Sequence, residues 1–337
     1  MIIHTVSFRI VLNYEDNSKL LQKIKDSKTS FRPLYKNGRF VHYIAVFKNI
    51  RFNFNPYKFR QHLIIECEAD KIVGTSNVIE EDLERFEIRF SELVQEFLKN
   101  NFPIFIRRYP LFRIDYKYDI QFKDDLEIEI FYEIIKRVKD RCFNLNKISP
   151  NNFNYSSLYY RPQGKTDSNG NNYFKRGKMN LNSYHRYLKT GRPEDKYVVR
   201  LEVQIFSKTI NSEYKKNGIS KELCNYWNQD SYDEYMKVYE KILYTQDYFR
   251  IDVALKLVID NYSMRLSVKK RLCRLLTLIN IYGETKGRKI FSKEYTQSTF
   301  YRDIGKLKKI GINPITFGNL NDTRFEKIEC LRNFLKR

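Results

Sequence analysis

Cysteine is scarce in this 337-residue chain, and its spacing rules out two common uses. Cys67, Cys142, Cys224, Cys273 and Cys330 are far apart, odd in number and never arranged as C-x-x-C. That excludes a zinc ribbon and a disulfide framework, and reads as reduced core thiols of a cytosolic protein. Histidine is scarcer still: His4, His42, His62 and His185 form no His-x-His or HExxH pair, so a histidine-dominated metal site lacks its usual local spacing. No apolar run reaches the ~18 residues that would span a bilayer. Met1–Leu12 carries His4 and Arg9 without a basic n-region, unlike a signal peptide. A cytoplasmic protein with no membrane partner is the expectation. Internal repeats and low-complexity segments are absent as well.

Positive charge and aromatic rings are abundant. Lys and Arg number 62 against 40 Asp and Glu, a net charge of +22, and there are 26 Tyr and 25 Phe. A folded chain that keeps this much self-repulsion usually meets a polyanion, and nucleic acid is the first candidate. The length suggests two domains. We place the boundary at 260/261, because from Asn261 onward 18 Lys/Arg face only 6 Asp/Glu. Residues 1–260 would form a catalytic domain and residues 261–337 a basic helical module.

Alternation predicts strands at Met1–Leu12, Phe40–Phe54 (broken at Lys48-Asn49), Gln61–Ala69, Leu111–Phe122 and Tyr197–Phe206. Helical spacing predicts helices at Lys19–Asp26, Glu80–Asn100 with Asn77 as N-cap, Glu127–Asn144, Glu222–Tyr244 and Tyr248–Asn261. Asn151–Asn182 reads as a long basic loop or hairpin carrying Arg176 and Lys178. In the last quarter, helix Leu266–Tyr282 ends at Gly283, and Ser298 caps helix Thr299–Ile310. With Thr285–Thr296 as connection, these suggest a helix-turn-helix or winged-helix module presenting Arg302, Lys306, Lys308 and Lys309 to DNA. The fold class is α+β, an antiparallel sheet flanked by helices.

Two strands carry acids among their polar residues. Leu111–Phe122 sets Phe112, Ile114 and Tyr116 on one side, and Arg113, Asp115, Lys117 and Asp119 on the other. Asp115 and Asp119 are about 13 Å apart along a strand, too far to share one ion. Tyr197–Phe206 places Arg200, Glu202 and Gln204 together, with Tyr184, Tyr187 and Lys189 just upstream. A tyrosine, a lysine and a strand-mounted carboxylate suit phosphoryl transfer, and they equally suit an edge strand after a polar loop.

R-I-D-Y-K-Y-D (Arg113–Asp119), Y-L-K-T-G-R-P-E (Tyr187–Glu194) and R-L-E-V-Q (Arg200–Gln204), taken in order, resemble the signature of rolling-circle replication initiators of filamentous phages and plasmids. Thr299–Pro314 is similar to the ends of those proteins. The resemblance implies a nickase and strand-transferase that acts at an origin through a phosphotyrosine intermediate and frees a 3′-hydroxyl. It implies Tyr187 as nucleophile with Tyr184 as rival, and Lys189 and Arg200 as cations beside it. It also implies Mg²⁺ or Mn²⁺ held by Asp115 and Glu202, with His185 and Glu66 as further ligands. A tyrosine of pKa ~10 needs such a cation near neutral pH. The expected partners are double- and single-stranded origin DNA, a host helicase and a second copy of the chain. The His-hydrophobe-His motif of the wider superfamily is missing, and Leu188 stands where relatives often carry an acid. A non-catalytic DNA-binding regulator is the alternative, and an RNA-binding protein that stacks bases on exposed aromatics is a third reading.

Overall fold

The computed structural model describes residues 2–57, 61–75, 77–101, 108–137, 143–147, 155–160, 165–166, 172–173, 179–318 and 325–329. In chain order the elements are β1 (Ile3–Val11), α1 (Tyr14–Lys25), β2 (Arg32–Lys36), β3 (Arg39–Phe47), β4 (Ile50–Asn55), β5 (His62–Glu68), α2 (Ala69–Val73), α3 (Leu83–Asn101), β6 (Leu111–Gln121) and α4 (Asp125–Arg137). Then come β7 (Phe143–Lys147), β8 (Tyr155–Tyr160), β9 (Lys165–Thr166), β10 (Asn172–Tyr173), β11 (Met179–His185), α5 (Arg186–Thr190), β12 (Val198–Phe206) and α6 (Ser207–Asn217). The remainder is α7 (Gln229–Leu243), β13 (Tyr248–Phe249), α8 (Ile251–Ile259), α9 (Leu266–Glu294), α10 (Gln297–Lys309) and β14 (Lys327–Ile328). The chain divides into two units: Met1–Lys117, Gly164–Asn180 and Glu202–Tyr235 form the first, and Tyr118–Gln163, Leu181–Leu201 and Met236–Arg337 the second.

In the first unit the strands run in the order β2-β3-β4-β5-β1-β6-β12, and every neighbouring pair from β2 to β6 is antiparallel. Lys48 and Asn49 take left-handed φ values of 44° and 68° and make the tight β3–β4 turn expected of a polar break between two apolar runs. Alternation along β4 and β5 sends Phe52, Phe54, Leu63, Ile65 and Cys67 into the core. Helix α3 covers that side. Its Phe97 stacks on Phe52 at 3.8 Å and its Phe90 meets Phe8 at 4.8 Å. Trp227 packs on Phe86 and donates its indole N–H to the Ile79 carbonyl at 2.9 Å. The helix entry differs from expectation: Asp82, not Asn77, secures it, by accepting from the Ile79 N–H at 3.0 Å.

The register of β1 against β6 slips twice, once between Ile3 and Thr5 and once between Ser7 and Phe8. At the first slip His4 is an extra residue opposite the Tyr116–Asp115 step. At the second, Phe112 is extra, since Ser7 faces Arg113 while Phe8 faces Leu111. A bulge turns the side chain it adds away from strict alternation. Phe112 therefore does not share the side of Ile114 and Tyr116. It lies under the Arg9 guanidinium, 5.7 Å from its ring centre, beside Ser7 and Glu66.

In the second unit the strand order is β6-β12-β11-β8-β7. Helix α4 stops at Arg137 and residues 143–147 are strand, so the helix expected over Glu127–Asn144 is shorter. Strands β8, β9 and β10 and the start of β11 lie in the stretch read as a loop or hairpin, with β9 and β10 paired as a hairpin within the first unit. Gly283, at φ 74° and ψ 165°, breaks α9, and a further helical segment runs on to Glu294. The expected connection is thus mostly helix, and only Tyr295 and Thr296 separate it from α10. Thr296, not Ser298, caps α10 by accepting from the Thr299 N–H. The buried Asp303 takes two hydrogen bonds from Arg271, at 2.5 and 3.0 Å, tying α10 to the first part of α9. A Cβ on Gly287 would lie 2.9 Å from the Leu278 carbonyl oxygen and 3.1 Å from the Ile279 Cα, so the two parts of α9 meet backbone to backbone.

Gly287→Ala is expected to lower stability by about 1–3 kcal/mol, because only backbone could yield. Gly305→Ala, with nothing among the described residues within 4 Å of its Cβ, is expected to raise it by about 0.5–1 kcal/mol. Urea denaturation of both variants checks the contrast; equal shifts would contradict the close crossing.

Candidate metal centre

Cross-strand register lines up charged residues on the side of the first unit's sheet away from α3. Arg51, Glu66, Ser7 and Arg113 stand opposite one another on β4, β5, β1 and β6. The next row is Glu68, Thr5 and Asp115. Arg113 binds Asp115 through Nε at 2.8 Å and Nη2 at 2.5 Å, and reaches Glu66 at 3.4 Å. Glu66 also pairs with Arg51 at 3.8 Å. Gln204 donates to Asp115 at 3.5 Å from β12, and the Arg113 guanidinium lies 5.5 Å over the Phe206 ring. Asp115 is buried, and burial pushes its carboxyl up to about 7 against the pull of Arg113, with Glu202 and Glu66 adding to the rise.

The bulge at His4 completes a second group. His4 Nε2 lies 3.6 Å from the buried Glu202 carboxylate. Donor atoms of His4, Glu68 and Asp70 all fall within 4.8 Å of one another. Atoms bonded to one ion at about 2.0–2.2 Å are at most about 4.4 Å apart, so closing on a cation needs shifts of only tenths of an ångström. Asp70 Oδ1 is buried and has no hydrogen-bond partner among the described residues. A buried carboxylate oxygen left in that state is costly, and a cation would satisfy it. One imidazole and two carboxylates fit a divalent ion such as Mn²⁺.

The expected ligands are distributed as follows. Glu202 stands beside His4, whereas Asp115 and Glu66 are held by Arg113. Sequence reasoning missed His4, Glu68 and Asp70. The E-x-D spacing of Glu68 and Asp70 at the end of β5 was a weak local signal, and nothing local pointed to His4. His185 belongs to the second unit, where its Nε2 meets the Lys196 carbonyl.

Tyr184, Tyr187, Lys189 and Arg200 are also in the second unit. Tyr184 is buried at the end of β11, whereas Tyr187, on the short helix α5, is 40% exposed. Lys189 lies on α5 too, and its side chain is outside the described residues. Arg200 is buried and grips Asp119 with two bonds, of 2.7 and 2.8 Å. Arg186 bridges Asp119 at 3.0 Å and Asp195 at 3.2 Å, and Thr190 donates to Asp195 at 2.7 Å. These ion pairs fix α5 against the strands of its unit. The Lys196 ammonium lies 4.8 Å over the Tyr197 ring, and Tyr197, with a smaller contribution from Tyr187, raises its pKa. On α10, Arg302, Lys308 and Lys309 are exposed and Lys306 is half-buried. Lys308 caps the Tyr244 ring at 4.4 Å, and burial lowers its pKa. Arg176 and Lys178 lie outside the described residues.

Two outcomes are expected. Mn²⁺ affinity, read by electron paramagnetic resonance of free Mn²⁺, falls about tenfold or more in His4→Ala and in Asp70→Asn; unchanged binding in both would remove the cluster as the ion's site. The second concerns proton linkage, measured in chelator. Folded Asp115 holds its proton to about 7 against an ordinary 3.8, so its contribution to stability is largest below about pH 4 and declines as pH rises to about 7, by at most about 1.4 kcal/mol per pH unit. Asp115→Asn lacks that decline, so its stability relative to the parent rises across this window; a pH-independent difference would count against the buried, proton-retaining carboxyl.

No family model matches the chain, and neither does any curated protein. Among solved structures it is similar to that of a rolling circle replication initiator protein from Geobacillus stearothermophilus, at 14% identity over 64% of this chain and 78% of that one, with a TM-score of 0.29.

Proposed function

We propose that the protein is a metal-dependent DNA nickase that initiates rolling-circle replication. The observation that carries this reading is the convergence of His4, Glu68 and Asp70 donor atoms beside the buried Glu202 carboxylate. The order of the R-x-D, Y-x-K and R-x-E segments and the net charge of +22 support it. A bound divalent ion supplies charge neutralisation at the scissile phosphate. The phenol of Tyr187 releases its proton as its oxygen bonds to phosphorus, the bond from phosphorus to the 3′-oxygen breaks, and that oxygen takes up a proton from solvent, leaving a phosphotyrosine ester and a free 3′-hydroxyl. Exposure favours Tyr187 over the buried Tyr184, since a nucleophile must reach its substrate. Glu202 holds His4 in place, and Arg113 ties Asp115 to Glu66 across two neighbouring rows of the sheet.

We assign the C-terminal helices to duplex DNA. Two helices joined by a two-residue turn, with Arg302 and Lys309 outward on the second, suit phosphate contacts whose strength falls with salt. The basic charge alone also suits a non-catalytic DNA-binding regulator, and one experiment separates the two. End-labelled single-stranded oligonucleotides of randomised sequence are incubated with the protein and Mn²⁺, and adducts surviving detergent are counted. A nickase gives an adduct that disappears in Tyr187→Phe and in chelator, while filter binding persists. Binding with no adduct under any divalent ion leaves the regulator; an undiminished adduct in Tyr187→Phe removes that tyrosine as nucleophile.

A further inference from the structure

The helix-covered side of the sheet in the first unit contains a feature that the metal cluster does not use. A cavity of about 640 Å³ opens where α3, the start of β6 and the segment after α6 meet. Its floor is made by Phe8, Phe86 and Phe90, all buried, with Phe90 stacked on Phe86 at 5.5 Å. Tyr109 stands edge-on to Phe90 at 5.3 Å and to Phe8 at 5.8 Å, and its hydroxyl accepts from Gln95 at 3.2 Å. The ring is thereby fixed. Tyr214, 53% exposed, lines the cavity from α6, and the Lys221 ammonium sits 5.4 Å over its ring.

Four charged residues complete the lining: Arg108, Lys221, Glu87 and Glu222. None of them has a side-chain hydrogen bond or ion pair among the described residues. Glu87 is partly desolvated and feels Glu222 as a like charge, and both effects raise its pKa. These charges reach solvent and are free to meet a ligand; set around aromatic rings, two carboxylates and two cations suit one with a flat ring, hydrogen-bond donors and an anionic group. The size falls in the range of about 300–1,000 Å³ typical of small-molecule sites.

We propose that this cavity binds a nucleotide unit, with its base stacked on Tyr109 and Tyr214, its amino group donating to Glu87 and Glu222, and its phosphate held by Arg108 and Lys221. Carboxylates accept from amino-bearing bases such as cytosine, and thymine offers no amino group. The site is therefore selective as well as adhesive. It does not depend on the nicking chemistry, because it uses none of the metal-binding residues and operates in chelator.

The full chain is titrated in chelator and at raised salt with two kinds of probe: free dCMP and dTMP, and labelled oligo-dC and oligo-dT of equal length. Cytosine is expected to bind about tenfold more tightly than thymine in at least one arm. A response to dCMP identifies the free nucleotide as the source, and a response confined to oligo-dC identifies a single strand. Tyr214→Ala is expected to weaken binding about tenfold. The isosteric pair Glu87→Gln with Glu222→Gln is expected to erase the preference for cytosine while circular dichroism stays unchanged. Equal affinity for cytosine and thymine in both arms, or a preference that survives the double substitution, overturns the proposal.

Discussion

The grip of Arg113 on Asp115 is the interaction on which the charged side of the first unit depends. Glu66, Glu68, Asp115 and Glu202 come from three strands of one sheet. Packing acids this closely is unfavourable unless a cation sits among them. Arg113 supplies it, with two bonds to Asp115 and one to Glu66, while Arg51 shares the load on Glu66. Removing one partner of such a pair would leave a buried charge uncompensated, a loss of about 3–5 kcal/mol. In the neighbouring group of His4, Glu68 and Asp70, neither carboxylate has an ion pair with an arginine among the described residues, which gives that group, rather than Asp115, the character of an ion site.

Backbone irregularity does the positioning. A strictly alternating β1 would turn His4 to the side opposite Thr5, among the phenylalanines that pack under α3. The extra residue at the first bulge instead brings its imidazole to Glu202, to Glu68 at the end of β5 and to Asp70 in α2. The second bulge frees Phe112 to carry Arg9. Both lie on the pairing of β1 with β6, so one strand pair organises both rows.

The second unit uses charge differently. Arg200, Asp119, Arg186 and Asp195 neutralise one another in a linear chain of ion pairs at α5. The buried Arg271–Asp303 pair fixes α10 to α9. Such pairs serve geometry more than net stability, because each desolvated ion offsets much of the Coulombic gain.

Much of the fold was legible in the sequence because it follows local rules. The alternation of β5, β6 and β12, the break at Lys48-Asn49, the apolar stripe of α3 and the stop at Gly283 depend on residues adjacent in the chain. The separation of Asp115 from Asp119 followed from strand rise alone, and each indeed has its own arginine. The helix after Gly283 was not legible, since its backbone contact with the first part of α9 overrode weak local preference. The Asp82 cap of α3, three residues from Ile79, was a local signal passed over in favour of Asn77, and the strands within residues 151–182 were legible only as the hairpin alternative to a loop. The candidate metal cluster was least legible of all. His4 and Asp70 are separated along the chain by β2 to β5, and only the antiparallel pairing of β1 with β5 plus one extra residue in β1 brings imidazole and carboxylates within reach of a single ion. Sequence by itself determined which residues alternate, which charges prevail and where helices can start or stop; strand register, which no local pattern encodes, decided which of those residues share a site.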